Sequence, residues 1–158
     1  MPTNDKLTGQ LKEICSRDTL IVGIGNTLKA DDAAGVLICR QLKDIIPHRI
    51  INAGTVPENY IQPIIEKAPE VLLIIDAIDF GASAGAVNIF KPDQLKPLAI
   101  STHTLSPRLF LDVVCQTISP EVYFIGIQPA QTALGGTLTP QVQQAIESLI
   151  EIFGTILK

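Results

Sequence analysis

Two carboxylates and one imidazole occupy positions along this chain from which they could do chemistry together. Asp32, with Asp31 directly before it, follows a short apolar run and a glycine turn. Asp76 ends the strongly apolar run of residues 71–75, and His103 precedes a predicted helix. Such a set offers the mixed oxygen and nitrogen ligands that zinc, manganese or nickel accepts. The same groups could instead perform acid–base catalysis.

Each of these residues also has a purely structural interpretation. Asp31 or Asp32 could cap the helix that follows, because a carboxylate is favoured at the positive end of the helix dipole. Asp76 could accept hydrogen bonds from turn amides, and His103 could be an ordinary surface histidine. Spacing alone does not decide which of the two adjacent acids has which role.

The glycine turn before the two acids argues against nucleotide binding. Gly23 and Gly25 follow a predicted strand and begin a dinucleotide-binding fingerprint, but Leu28 occupies the third glycine position. No phosphate-binding lysine motif follows, and acids at the turn would repel a pyrophosphate. We therefore expect the turn to position a carboxylate.

Apolar runs alternate with helix-period segments along the chain. The pattern predicts strands over residues 19–24, 49–51, 70–77, 86–90 and 121–127, and helices over 32–42, 58–67, 105–115 and 139–157. This alternation is typical of a mostly parallel sheet covered by helices on both faces. The segments 70–77 and 86–90 are joined without a helix, so we expect them to pair antiparallel at one edge. Ligands of such folds bind beyond the carboxyl ends of the strands.

Composition excludes several classes of protein. The chain has 158 residues, 46% of them hydrophobic, and a net charge of −4 without a basic run, which disfavours nucleic-acid binding. No apolar stretch reaches membrane-spanning length, and residues 1–18 resemble a loosely ordered or helical lead-in rather than a signal peptide. Three widely spaced cysteines predict a reducing, cytoplasmic location, with Cys39 and Cys115 in the core. We expect one domain over residues 1–158 and a monomer.

These motifs together resemble the maturation endopeptidases of nickel–iron hydrogenases. The family's opening G-I/V-G-N-x-L-x-x-D-D/E-A/G-x-G matches residues 23–35, and its I-x-D-A matches residues 74–77. Its histidine at the head of a helix matches His103, and its late G-I/V-x-P matches residues 126–129. Residues 53–59 and Asp79 look most similar to the branch that serves formate-hydrogenlyase-type (hydrogenase 3) enzymes.

The resemblance implies a three-layer α/β/α sandwich with a mostly parallel, twisted five-stranded sheet and one antiparallel edge strand. It implies an endopeptidase that removes the C-terminal extension of the hydrogenase large-subunit precursor after nickel insertion. The family's metal-binding and catalytic trio carries over to Asp32, Asp76 and His103. Nickel would arrive with the precursor, and another divalent metal could substitute for it in the isolated protein. Gly54 and Thr55 would contact the substrate.

One segment departs from the family pattern, and other functions stay open. Many members have D-G-G-S/T where this chain has Asn52, Ala53, Gly54 and Thr55, which puts contacts of this loop with the precursor in doubt. The chain could also be a metal-dependent hydrolase of a small substrate. A third interpretation is a noncatalytic chaperone module for metal insertion.

Overall fold

The computed structural model describes residues 2–95 and 107–157. The strands are β1 (Thr19–Ile24), β2 (Ile50–Gly54), β3 (Val71–Ala77), β4 (Val87–Phe90) and β5 (Glu121–Ile127). The α-helices of this part of the chain are α1 (Pro2–Ile14), α2 (Ala34–Leu42), α3 (Ile61–Lys67), α4 (Pro107–Thr117) and α5 (Pro140–Ile156). Short 3-10 helices precede α2, β2 and α3 and follow β4.

The five strands form one sheet in the order β2-β1-β3-β5-β4. The first four of these strands are parallel, and β4 runs antiparallel to β5 at the edge. Every residue of β1 and β3 is buried, because helices cover both faces of the sheet. The predicted mixed sheet with one antiparallel edge strand is therefore confirmed.

The predicted partner of the edge strand is wrong, since β4 pairs with β5 and not with β3. The loop between β3 and β4 passes the end of β5 and is fastened there by Gln128. Its side-chain oxygen accepts hydrogen bonds from the Phe80 N–H (2.8 Å) and the Ala82 N–H (3.2 Å). The Gly85 N–H donates to the Gln128 carbonyl at 2.8 Å. These contacts carry the chain past β5 before β4 begins.

Two apolar cores lie on opposite faces of the sheet. One contains side chains of α1, α2 and α5, and the other contains side chains of α3 and α4. Alternate residues of β3 supply the two cores, with Leu73 and Ile75 on the first face and Leu72 and Ile74 on the second. The molecule is therefore the three-layer sandwich that the resemblance implies.

Burial tests the predictions for the lead-in segment and for two of the cysteines. The lead-in segment forms helix α1, which belongs to the core through Leu11 and Ile14. Cys39 is buried as predicted, but the prediction for Cys115 is wrong because this cysteine is exposed. Helix α4 buries Phe110, Leu111 and Val114, which places Cys115 on its outer side.

No helix in the described ranges is both long and apolar enough to cross a bilayer.

Helix α2 packs directly on the sheet backbone at Gly35. A Cβ atom at this position would lie 2.2 Å from the Ile75 carbonyl oxygen and 2.5 Å from the Ile24 carbonyl oxygen. Both carbonyls belong to the carboxyl ends of their strands, β3 and β1. The absence of a side chain at Gly35 therefore sets how closely the start of α2 approaches the edge where ligands bind in this class of fold.

We expect Gly35→Ala to destabilise the protein by about 1–3 kcal/mol, because the added methyl group forces backbone atoms apart. Gly154→Ala is the matched control, since a Cβ at Gly154 in helix α5 meets nothing within 4 Å. That control should raise the free energy of unfolding by roughly 0.5–1 kcal/mol through helix propensity. Urea denaturation measures both values, and equal stability of the Gly35→Ala variant and the wild type would contradict the packing argument.

Candidate functional site

The glycine turn after β1 folds back onto Asp32. The Asn26 N–H donates to the Asp32 side-chain Oδ2 at 3.0 Å and also to the Asp32 carbonyl oxygen at 3.2 Å. A Cβ atom at Gly25 would lie 2.2 Å from that same carbonyl oxygen. The turn can therefore close on the 3-10 helix Ala30–Ala33 only with glycine at position 25, and this closure orients the Asp32 carboxylate.

Asp76 lies near the carboxyl end of the central strand. It pairs in register with Gly126 of β5, and only 1% of its surface is exposed. Asp32 has no exposed surface, so both carboxyl groups are buried. Buried carboxylates require compensation by hydrogen bonds, cations or bound ligands, which makes their placement at one sheet edge informative.

The structure brings Asp32 and Asp76 to the same end of the sheet. The 3-10 helix that carries Asp32 packs against β3, and Gly35, one turn later, packs against the Ile75 carbonyl. Strand alternation places Asp76 on the sheet face covered by α3 and α4. His103, the third predicted site residue, lies outside the described residues. Helix α4 begins four residues after it in the sequence.

Asp31, the neighbouring acid, holds the loop between β5 and α5. Its Oδ2 accepts hydrogen bonds from the Ala130 N–H (2.8 Å) and the Gln131 N–H (3.2 Å). Its Oδ1 accepts one from the Thr139 N–H at 2.8 Å, and the Thr139 hydroxyl donates to both oxygens. The Asp31 N–H in turn donates to the Gln131 carbonyl at 3.1 Å. Asp31 therefore links the starts of α2 and α5.

The role of Thr139 differs from that of an ordinary helix cap. It occupies the position before α5, but its side chain makes no capping hydrogen bond to that helix. Its hydroxyl is used by Asp31 instead, at 2.9 Å from Oδ2. The carboxylate of Asp31, which accepts the Thr139 N–H, also lies where a negative charge favours the dipole of α5. The helix start is thus stabilised by a residue distant in sequence.

The segment that departs from the family pattern, residues 52–55, begins inside β2. The predicted strand ends at residue 51, which would place this segment after the strand. Asn52 pairs with Gly23 and Gly54 pairs with Ile24, across an irregularity in the register. The Asn52 side-chain amide donates to the Val36 carbonyl at 3.3 Å, a contact that a carboxylate at this position could not make. Asparagine therefore ties β2 to α2.

The two predicted substrate-contacting residues lie at the same edge as the buried acids. The Gly54 carbonyl accepts a hydrogen bond from the Gly25 N–H at 3.0 Å. Thr55, which follows, is exposed. The end of β2 is thus joined directly to the turn that orients Asp32.

Asp79 fastens the loop after β3. The Gln128 side-chain amide donates to its Oδ1 at 3.0 Å, and the Gly81 N–H donates to the same oxygen at 3.1 Å. These hydrogen bonds favour the charged form, so they lower the pKa of Asp79, the Gln128 contact having the larger effect. Asp79 therefore acts as a turn residue that holds the loop between β3 and β4.

A groove of about 570 Å³ lies between α1, α5 and the start of β4. Its lining includes Lys6, Gln10, Asn88 and Gln144, but no carboxylate, histidine or cysteine. No group of three such metal-ligating side chains occurs within residues 2–95 and 107–157 either, and His103 lies outside these ranges. The pair of acids at the carboxyl edge therefore remains the candidate for chemistry.

Comparison with known proteins decides the family. The model for the HycI-type hydrogenase maturation proteases matches residues 37–156, about three quarters of the chain. The chain belongs to the hydrogenase maturation protease family. The hydrogenase 3 maturation protease of Escherichia coli K12 is 30% identical over 135 residues, which cover 84% of this chain and 86% of that protein. Members are named as proteases, so this hydrogenase maturation protease is a peptide-bond hydrolase.

Solved structures of the family share the fold. The crystal structure of the maturation protease HycI from Thermococcus kodakarensis superposes with a TM-score of 0.82 at 31% identity, covering 93% of this chain and 97% of that one. HybD from the same organism gives a TM-score of 0.69 at 27% identity, covering 89% and 99% of the two chains. The sheet and its helices are therefore those of a hydrogenase maturation protease.

The link that Asp31 makes between two loops is not predicted by the sequence. The sequence predicts only a position at a helix start, and the partners of Asp31 lie about a hundred residues later in the chain. The adjacent pair of acids is the one available signal, because spacing leaves their separate roles open. The partners themselves, three backbone amides and one threonine hydroxyl, carry no sequence pattern that marks them.

We expect Asp31→Ala to destabilise the maturation protease by about 3 kcal/mol, because the change removes the buried carboxylate that accepts hydrogen bonds from Ala130, Gln131 and Thr139. Urea denaturation measures the loss, and hydrogen exchange of residues 130–139 should show reduced protection. Asp44→Ala is the control, since Asp44 is exposed and lies at the opposite end of α2. Unchanged stability and unchanged exchange in the Asp31→Ala variant would contradict the role assigned to this carboxylate.

Proposed function

We propose that this protease removes the C-terminal extension of a nickel–iron hydrogenase large-subunit precursor after nickel has been inserted. The observation that carries the proposal is the pair of buried acids, Asp32 and Asp76, at the carboxyl edge of the sheet in a peptidase of this family. A relative is named for hydrogenase 3, so a hydrogenase 3-type large subunit is the first substrate to test. Membership in a peptidase family favours this function over a noncatalytic chaperone.

In this proposal the nickel belongs to the substrate. Asp32, Asp76 and His103 complete the coordination of nickel that precursor cysteines already hold. Carboxylate and imidazole ligands are suited to such an ion. Cleavage would then depend on prior metal insertion, because a precursor without nickel offers nothing for the three residues to bind.

Hydrolysis requires a polarised carbonyl and an activated water. One of the two carboxylates takes a proton from the water as general base. The water oxygen adds to the carbonyl carbon, the carbon–nitrogen bond breaks, and a proton passes to the leaving amine. Gly54 and Thr55, at the end of β2, contact the precursor beside the cut bond.

The proposal includes that the enzyme works as a monomer in the cytoplasm.

The first test replaces each member of the trio with a similar uncharged side chain. Asp32→Asn, Asp76→Asn and His103→Gln should each lower kcat/KM for precursor processing by at least about a hundredfold, since each removes a ligand or an acid–base group. Intact mass spectrometry of the large subunit measures the length change, and thermal unfolding checks that the variants fold.

Two matched controls exist in the same chain. Asp44→Asn and His48→Gln change exposed residues near the amino edge of the sheet, and both should process the precursor normally. Normal processing by the three trio variants would refute the assignment of the site.

The second test removes nickel from the substrate. Precursor purified without nickel should stay uncut over the time in which nickel-loaded precursor is fully processed, and added nickel should restore cleavage. The same mass measurement follows the reaction. Efficient cutting of nickel-free precursor would refute recognition of the metal while leaving the peptidase function intact.

A further inference from the structure

Two leucines beside the site are unusually exposed. Leu134 is 73% exposed and Leu28 is 66% exposed, the largest values among the big apolar side chains of the described residues. Both lie in loops that follow the carboxyl ends of strands, Leu28 after β1 and Leu134 after β5. Single exposed leucines are common, but these two lie on adjoining loops at one edge of the sheet, where we call them the leucine patch.

The backbone joins these two loops directly. The Gly135 N–H donates to the Leu28 carbonyl at 2.8 Å, so the residue next to Leu134 contacts Leu28. Strands β1 and β5 flank β3 in the sheet, so their loops meet across the end of the strand that carries Asp76. Leu28 also precedes Asp32 by four residues, and its loop leads into the 3-10 helix that carries Asp32. The two leucines therefore lie next to the candidate site.

Hydrogen bonds hold both loops that carry the leucine patch. The Leu28 N–H donates to the Asn26 side-chain oxygen at 2.9 Å, and the Gly136 N–H donates to the Ala133 carbonyl at 3.0 Å. The Asp31 carboxylate fixes the two loops to each other through Ala130 and Thr139. Fixed loops lose little conformational entropy when a partner binds, so an apolar patch presented in this way is preorganised for binding.

We propose that Leu28 and Leu134 form an apolar docking platform for a nonpolar stretch of the precursor next to the bond that is cut. The proposal rests on the proposed function and adds a determinant of substrate recognition to it. The occupant is assigned from position, because the Leu28 loop leads directly into the 3-10 helix that carries Asp32, and a peptide cut at Asp32 and Asp76 lies beside that loop. The platform binds the precursor and takes no part in the chemical step.

The test replaces the leucines with serine. Leu28→Ser and Leu134→Ser should each raise KM for nickel-loaded precursor roughly tenfold, because burial of a leucine side chain is worth about 1.5 kcal/mol or more. The value of kcat should stay within about twofold, since binding lost equally from substrate and transition state leaves kcat unchanged. A fall in kcat with unchanged KM, or no change in either, would overturn the proposal.

The control is Ile45→Ser. Ile45 is 49% exposed and lies between α2 and β2, at the amino edge of the sheet. This variant should have the KM of the wild type, and an equal rise in KM would show that the effect is not specific to the platform. Sedimentation of all variants tests a second copy of this chain as the occupant. Wild-type self-association that the serine variants lose, without a change in KM, would overturn the proposal.

A binding measurement separates this proposal from the proposed function. The dissociation constant for uncut precursor is compared between Asp32→Asn and the same variant carrying Leu28→Ser and Leu134→Ser. A rise in Kd of tenfold or more supports the platform even if the wild type fails to cut, a failure that would refute the proposed function alone. An unchanged Kd refutes the platform even if the wild type processes the precursor.

Discussion

The buried carboxylate of Asp31 is the constraint on which the arrangement of the carboxyl edge depends. Its two oxygens accept hydrogen bonds from Ala130, Gln131 and Thr139. The first two residues lie near the start of the loop between β5 and α5, and Thr139 ends that loop. Because β1 and β5 flank the central strand, this contact draws two loops together across its end. One ionisable side chain thus joins the loops after β1 and β5 at the carboxyl edge of the sheet.

The adjacent acids Asp31 and Asp32 therefore have different structural roles. The oxygens of Asp31 face donors from the β5–α5 loop, whereas the Oδ2 of Asp32 faces the Asn26 N–H of its own turn. The turn can close on Asp32 only because Gly25 has no side chain, and helix α2 can follow so closely only because Gly35 has none. Small residues and one structural acid together fix the position of the second acid.

The strands and the family could be predicted from the sequence, because apolar runs and short motifs are local signals. The bounds of β1 and β5 agree with prediction for this reason. The partner of β4 could not be predicted, since it depends on Gln128 holding a loop that passes β5. Asp31 could not be separated from Asp32 by spacing, because its donors lie about a hundred residues away. The exposure of Cys115 depends on which side of α4 meets the sheet, and a local apolar neighbourhood does not reveal that.

The position of the acids also bears on the kind of substrate that suits this enzyme. Asp32 and Asp76 belong to the rim of an open sheet, and the groove of about 570 Å³ lies elsewhere, without a carboxylate or histidine in its lining. Enclosed pockets suit small molecules, because they bury most of the ligand surface. Two exposed leucines on the loops beside the acids instead suit a protein substrate, which brings an apolar surface of its own. In our proposal the precursor supplies that surface and the nickel as well, so that the active centre is complete only when the correct substrate is bound.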